Sequence, residues 1–238
     1  MSDTLIIIPA HDEDGKVGEL VGRIKSLGLD ADVAVVDDGS KDGTARAARD
    51  AGATVLSLPF NIGYGGALQT GFRYALSKGY SYAVQLDADG QHEPAYIPKL
   101  IEPVKAGLAD VAMGSRFLGA GEYTSTFMRG LGIKVFGRIA SSIIGRKVTD
   151  PTTGFQAMDR EVIRFYASDS YPVDFPDADV LIMLHRAGLK SVEVPVVMYP
   201  RAEGKSMHSG LKPLYYVFKM FLSILVTLLR KNTFRRGG

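Results

Sequence analysis

Short apolar runs alternate with amphipathic stretches through the first half of the chain. Leu5–Ile8, Val33–Val36, Ala53–Leu58 and Tyr82–Leu86 are aliphatic or β-branched runs of strand length. Between them, Lys16–Leu27, Gly43–Ala51 and Gly66–Lys78 carry apolar residues at helical spacing. Strands that are apolar throughout, rather than in alternation, are those covered on both faces. The pattern therefore predicts an α/β fold with βαβ units and a mostly parallel sheet flanked by helices. Pro94 sits where the first turn of a helix accepts proline, and Asp110–Met113 reads as another strand. No repeat, low-complexity tract or Pro/Ser-rich linker breaks the pattern, so one domain is expected over residues 1–207, with a tail at 208–238.

Two later segments look different. Phe127–Lys147 mixes apolar residues with five cations, Arg129, Lys134, Arg138, Arg146 and Lys147. Such a helix either lies on an anionic bilayer or packs on the sheet with a solvated basic side. Leu214–Leu229 would be roughly 24 Å long as a helix, short of the ~30 Å hydrocarbon core. Lys219, Ser223 and Thr227 recur every four residues within it, a narrow polar stripe on a wide apolar helix. An in-plane anchor, or a helix packed on a membrane protein or a second protomer, is expected there rather than a lone span.

Charge sharpens this division. Residues 201–238 hold eight Lys or Arg against one acid, whereas residues 1–200 hold 20 basic and 25 acidic residues. A basic tail on an acidic body suggests an anionic partner. Because its cations flank an apolar helix and form no basic groove, lipid headgroups are expected and nucleic acid is not. The absence of cysteine excludes disulfides, a thiol nucleophile and thiolate metal sites. The first residues lack a basic n-region and Leu5–Ala10 is too short for a leader core, so no secretory leader is expected.

In open α/β sheets, ligands bind beyond the carboxyl ends of the strands. Three such ends carry concentrated polar chemistry: Pro9-Ala10-His11-Asp12-Glu13, Asp37-Asp38-Gly39-Ser40 and Asp87-Ala88-Asp89-Gly90-Gln91-His92. Acidic clusters gathered at one edge repel one another unless a cation or polar ligand joins them. Asp87 and Asp89 point to the same side if the strand continues, and paired carboxylates suit Mg²⁺ or Mn²⁺, with Gln91 or His92 to complete the site. The other reading is an acidic turn capping the next helix. His92 is read as a neighbour of such a site rather than a ligand. A nicotinamide dehydrogenase is excluded, since the first strand leads into Pro-Ala-His-Asp-Glu and not a glycine-rich turn. Gly63-Tyr64-Gly65-Gly66 is read as a flexible entry into a helix.

The ordered set IIIPAHDE (6–13), VVDDGSKDGT (35–44), NIGYGGALQTGF (61–72), QLDADGQHEP (85–94), MGSRF (113–117), DPTTGF (150–155), EVPV (193–196) and RAEGKS (201–206) resembles the family-two glycosyltransferases of the GT-A fold. The likeness is greatest to the branch that glycosylates dolichyl and other polyprenyl phosphates. The resemblance implies metal-dependent, inverting transfer of a sugar from a UDP- or GDP-sugar to a polyprenyl phosphate at the cytoplasmic face of a membrane, with UDP the base expected first. It implies that Pro9, Ala10, His11, Glu13, Val36 and Asp38 hold the nucleoside and that Ala88 lies against the ribose. Asp87 and Asp89, with Gln91, would hold the cation, and Arg116 and Arg129 would meet phosphates. Asp150 would order the site. Lys205 would bind the diphosphate, although the family's Arg-x-x-Gly-x-Ser-Lys ends here in Met207.

A hydroxyl acceptor, such as a saccharide, would need a protein base. Asp177 and Asp179 lie where hydroxyl-using relatives carry one; their other reading is an acidic helix start. Relatives often carry two transmembrane helices after the catalytic domain, so a small membrane protein or a second protomer is an expected partner. A D-x-D phosphohydrolase is the remote alternative, because its motif belongs on the first strand and here lies on about the fourth. A catalytically silent scaffold is disfavoured by the intact acidic clusters.

Overall fold

The computed structural model describes residues 2–118, 127–169, 171, 172, 176, 178–199, 212–229 and 234, with backbone alone over 127–134 and 212–218. In chain order the elements are β1 (Thr4–Ala10), α1 (Asp14–Ser26), β2 (Asp32–Asp37), α2 (Thr44–Asp50), β3 (Thr54–Ser57), α3 (Tyr64–Lys78), β4 (Tyr82–Gln85), α4 (Ile97–Lys105), β5 (Val111–Ser115), α5 (Phe127–Ile144), β6 (Gln156–Asp159), α6 (Arg160–Tyr166), α7 (Ala178–Arg186), β7 (Ser191–Pro195) and α8 (Lys212–Leu229). The strands form one seven-stranded sheet in the order β3-β2-β1-β4-β6-β5-β7. β6 runs antiparallel to β4 and to β5, and every other neighbouring pair is parallel.

The apolar runs are explained by what covers them. Along β1, Leu5 and Ile7 face α3 and α6, while Ile6 and Ile8 face α1 and α4. Each strand position therefore ends in apolar packing on one face or the other. α1 buries Val17, Leu20, Val21 and Ile24, the i, i+3, i+4, i+7 stripe of an amphipathic helix. At about 1.5–3 kcal/mol per fully buried aliphatic side chain, that stripe contributes roughly 6–12 kcal/mol against unfolding, before chain entropy is counted.

α3 begins at Tyr64, two residues earlier than its periodicity suggests, because Gly63 makes the turn. With φ 92° and ψ 161°, Gly63 lies in a region that is almost confined to glycine. The glycines that follow belong to the first helical turn. β6, α6 and β7 were not anticipated, whereas α7, with Asp179 in its first turn, is the acidic helix start that was one of the two readings there. β6 has only four residues, and α6 has seven and relies on Asp159, whose carboxylate caps it by accepting the Val162 amide at 2.9 Å.

α8 packs on α5 and α7, with Met220 and Ile224 against Phe136, Ala178 and Ile182. Its polar stripe points the opposite way from that of a helix floating polar side outward. The Ser223 hydroxyl donates to Asp179, Thr227 is buried, and the Thr227 carbonyl accepts from Arg186. Asp179 and Arg186 need partners inside an otherwise apolar seam, and α8 supplies them. Phe221, Leu222, Leu225, Val226, Leu228 and Leu229 are left exposed, Leu225 to 53% and Leu229 to 77%. Among the described residues no helix is long and apolar enough to cross a membrane.

After β1 the chain builds β2 and β3 outward on one side, then returns to place β4 on the other. The switch point lies between β1 and β4, where an open α/β sheet presents its ligand crevice.

Candidate active site

The loops leaving β1 and β2 are bound to each other before any ligand is considered. The Asp38 amide donates to the Ala10 carbonyl at 2.9 Å, and the His11 Nδ1–H donates to the Asp38 carbonyl at 2.8 Å. Asp12, at φ 53°, adopts the left-handed conformation that aspartate tolerates better than most residues. There its carboxylate accepts the Lys41 amide at 2.8 Å and its own amide donates to Ser40 at 3.0 Å. Glu13 accepts from Lys16 at 3.0 Å and donates its amide to Thr44 at 2.8 Å. Pro9, Ala10 and Val36 are buried in the strand ends, and His11 is the exposed side chain of the set. Asp38, expected at the base, is itself buried: its two carboxylate oxygens accept the Ile62 and Gly63 amides at 2.7 and 3.0 Å. It anchors the turn that launches α3.

At the end of β4, the Tyr64 hydroxyl donates to Asp87 Oδ1 at 2.7 Å. Asp89 Oδ1 accepts the Gln91 amide at 3.0 Å, and Ala88 between the two aspartates is buried. His92 is 3% exposed and its ring stacks on Phe155 with centroids 5.1 Å apart. His92 Nδ1 accepts the Asp87 amide at 3.1 Å, which assigns the proton to Nε2, 3.8 Å from Asp87 Oδ2. Burial pushes the His92 pKa down to about 4, the Arg116 charge adds to this, and Asp89 and Asp150 oppose it. His92 is thus neutral at pH 7 and supports the aspartate loop.

Gln91 reaches sideways to a second segment. Its backbone carbonyl accepts the Tyr199 amide at 2.8 Å and its Nε2 donates to the Tyr199 carbonyl at 3.1 Å. A hydrogen bond to Glu93 raises the Tyr199 pKa, and Glu93 also takes Arg23 at 2.7 and 2.8 Å. The donors offered to a divalent cation are therefore the Asp87 and Asp89 carboxylates and the remaining amide oxygen of Gln91. All are hard oxygens suited to Mg²⁺ or Mn²⁺. Among the described residues no three His, Cys, Asp or Glu side chains gather into a metal cage.

Because β6 runs against its neighbours, the loop leading into it reaches the same edge. Asp150 in that loop is 0% exposed and Arg116 is 5% exposed. Arg116 Nε and Nη2 donate to the two Asp150 oxygens at 2.6 and 3.1 Å. A guanidinium at that depth is costly without a counter-charge, and Asp150 supplies it. Asp150 in turn donates its amide to Glu193 at 2.8 Å. Asp179 is buried against Ser223 at the start of α7. The Arg129 side chain, Asp177 and Lys205 lie outside the described residues.

Tyr64, Glu193 and Tyr199 carry structural roles that the sequence did not assign. The first two lie inside motifs noted above, but nothing in their spacing says what they touch.

The sheet order, the single reversed strand and the aspartate pair at the switch point define a glycosyltransferase of the GT-A architecture. Residues 5–166 match Glycosyl transferase family 2, and the chain belongs to that family. It is 35% identical over 218 residues to an undecaprenyl-phosphate mannosyltransferase of Micrococcus luteus, covering 87% of each chain. It is 34% identical over 217 residues to a polyprenol monophosphomannose synthase of Mycolicibacterium smegmatis, covering 87% of this chain and 81% of that one. Among solved structures, glucosyl-3-phosphoglycerate synthase from Mycobacterium tuberculosis, in complex with Mn²⁺ and UDP-glucose, superposes with a TM-score of 0.67 at 21% identity. That match covers 94% of this chain and 78% of the other, and it establishes the shared fold.

Proposed function

We propose that this glycosyltransferase moves mannose from a nucleotide diphosphate mannose to a polyprenyl phosphate at a membrane surface. The observation that carries the reading is the Asp87–Asp89 pair at the β1–β4 switch point, in a chain whose relatives of 34% and 35% identity are named for mannose and polyprenol. The mannose in both names makes GDP-mannose, rather than a UDP-sugar, the first donor to test.

In this reading Asp87, Asp89 and Gln91 hold Mg²⁺ or Mn²⁺, which offsets charge on the leaving diphosphate. The nucleoside lies over the ends of β1 and β2, against His11, with Glu13 beside it and Asp38 fixing the turn at 61–63. Arg129 and Lys205 are assigned to the acceptor phosphate and the diphosphate. A lipid phosphate is already ionised at pH 7 and attacks the anomeric carbon without a protein base, inverting it in one displacement. A hydroxyl acceptor would need a carboxylate to take its proton, whereas a lipid phosphate does not. The outward apolar side of α8, followed by Arg230, Lys231, Arg235 and Arg236, supports contact with an anionic bilayer.

The test is to incubate the protein with undecaprenyl phosphate, Mg²⁺ or Mn²⁺, and in turn GDP-mannose, UDP-glucose and UDP-N-acetylglucosamine, and to weigh the lipid by mass spectrometry. A hexose added to the lipid phosphate only with GDP-mannose is expected, together with its loss in Asp89→Asn. Transfer to a saccharide and not to the lipid would overturn the acceptor, and a product with another donor would overturn the sugar.

A further inference from the structure

We infer that Tyr64 is a positioning residue for Asp87: its hydroxyl holds the first carboxylate of the aspartate pair in the rotamer that receives a divalent cation, and Gly154 keeps open the space in which the two side chains meet. The inference rests on the reading of Asp87 as a metal ligand given above.

The Tyr64–Asp87 bond of 2.7 Å has a defined direction, because an ionised carboxylate offers only acceptor sites and the hydroxyl must donate. Tyr64 is also fixed from behind. It is the first residue of α3, it follows the positive-φ Gly63, and the amides of Ile62 and Gly63 are bound by the buried Asp38 carboxylate. The second acidic cluster thus ties down a turn, and the turn sets the tyrosine that orients the third cluster. His92 steadies Asp87 by accepting its amide at 3.1 Å. The loop leading into β6 closes over the pair. A Cβ placed on Gly154 would lie 2.8 Å from the Tyr64 hydroxyl and 3.0 and 3.2 Å from the Asp87 carboxylate oxygens. Any side chain at position 154 must push Tyr64 and Asp87 apart or out of place.

A carboxylate oxygen that accepts one hydrogen bond keeps a lone pair for a metal. Groups that orient a ligand from outside the coordination sphere are worth about 10- to 100-fold in metal affinity. Tyr64→Phe removes the hydroxyl alone. Binding of Mn²⁺ is read by electron paramagnetic resonance of the free ion, with Mn²⁺ alone and with GDP or UDP added, for wild type, Tyr64→Phe and Asp87→Asn. The expected result is Mn²⁺ affinity lowered about 10- to 100-fold in Tyr64→Phe, with the maximal transfer rate restored to within a few-fold at saturating Mn²⁺. Gly154→Ala should lower the affinity in the same direction although its hydroxyl donor is intact, and the double variant should lose less than the product of the two single losses. If Gly154→Ala does not fold, Tyr64→Phe decides alone. Wild-type Mn²⁺ affinity in Tyr64→Phe, with affinity lost in Asp87→Asn, overturns the role of Tyr64 and leaves the metal reading intact. Wild-type affinity in Asp87→Asn overturns both.

Discussion

Glu193 on β7 binds the Asp150 amide at 2.8 Å, joining the sheet's far edge to the loop that grips Arg116. The same carboxylate takes the Thr149 amide at 2.9 Å and the Thr149 hydroxyl at 3.0 Å. Replacing it with alanine removes the acceptor of the amides of buried Asp150 and half-buried Thr149, at about 1–3 kcal/mol for a buried amide. Glu193→Ala should therefore lose about 3 kcal/mol in urea unfolding, and Glu193→Gln, which keeps one acceptor oxygen, should lose less. An unchanged urea midpoint in Glu193→Ala would sink this account.

The Arg116–Asp150 pair predicts a strongly non-additive pattern. Removing either partner leaves a buried charge without its counter-charge, at a cost of about 3–5 kcal/mol. Arg116→Met and Asp150→Leu should each be severe, and the double variant should be more stable than either. Chemical denaturation of all four proteins measures the coupling; simple additivity would mean that the two side chains do not depend on each other.

His92 gives the pH dependence a sign. Its folded pKa of about 4 lies below the ordinary 6.5, so between those values the unfolded chain binds a proton that the folded chain refuses. The contribution is fully present above pH 6.5 and is lost as pH falls through about 4. At 1.36 kcal/mol per pKa unit the loss approaches roughly 3 kcal/mol. Stability of the metal-free protein, followed from pH 7.5 to 4, should fall over this window, and less steeply in His92→Gln. Identical pH profiles for the two proteins would remove His92 as the cause.

The two sides of α8 should respond differently to substitution. Leu225→Ser with Leu229→Ser lies on the exposed side and should weaken cosedimentation with phosphatidylglycerol vesicles at least several-fold while the melting temperature stays within a few degrees. Ile224→Ala lies on the side packed against α5 and α7 and should cost about 2–5 kcal/mol of stability. Vesicle binding unaffected by the serine pair would remove α8 as the lipid-contacting element.

Long, strongly patterned elements were legible in the sequence because their burial follows from periodicity alone. β1, β2, α1 and α3 needed only the count of apolar positions. β6 was not legible, since its four residues include Gln156 and carry no period, and β7, although Val192 and Val194 alternate with other residues, is only five residues long and was not read as a strand. The aspartate pair stood out from its place after a strand. The partners of the polar residues did not: the resemblance set Arg116 near a phosphate, and nothing in the spacing showed that Asp150, 34 residues away, would pair with its guanidinium. Likewise the stripe of Lys219, Ser223 and Thr227 was visible, but the direction it faces depends on Asp179 and Arg186 in another helix. Spacing reveals which residues share a face, while their partners come from tertiary folding.

The inward-facing polar groups of α8 have a mechanical consequence. A helix whose hydroxyl and carbonyl groups are already bound to α7 does not have to roll or unwind to exchange water for lipid. Its angle to the sheet is set during folding, so the protein would approach a bilayer as a rigid body in a single pose, with no ordering step left for the encounter. Amide exchange in α8 should then be as slow in the free protein as in the vesicle-bound one. In the proposed reading, the pose of the protein on a membrane is a property of the fold rather than an outcome of binding.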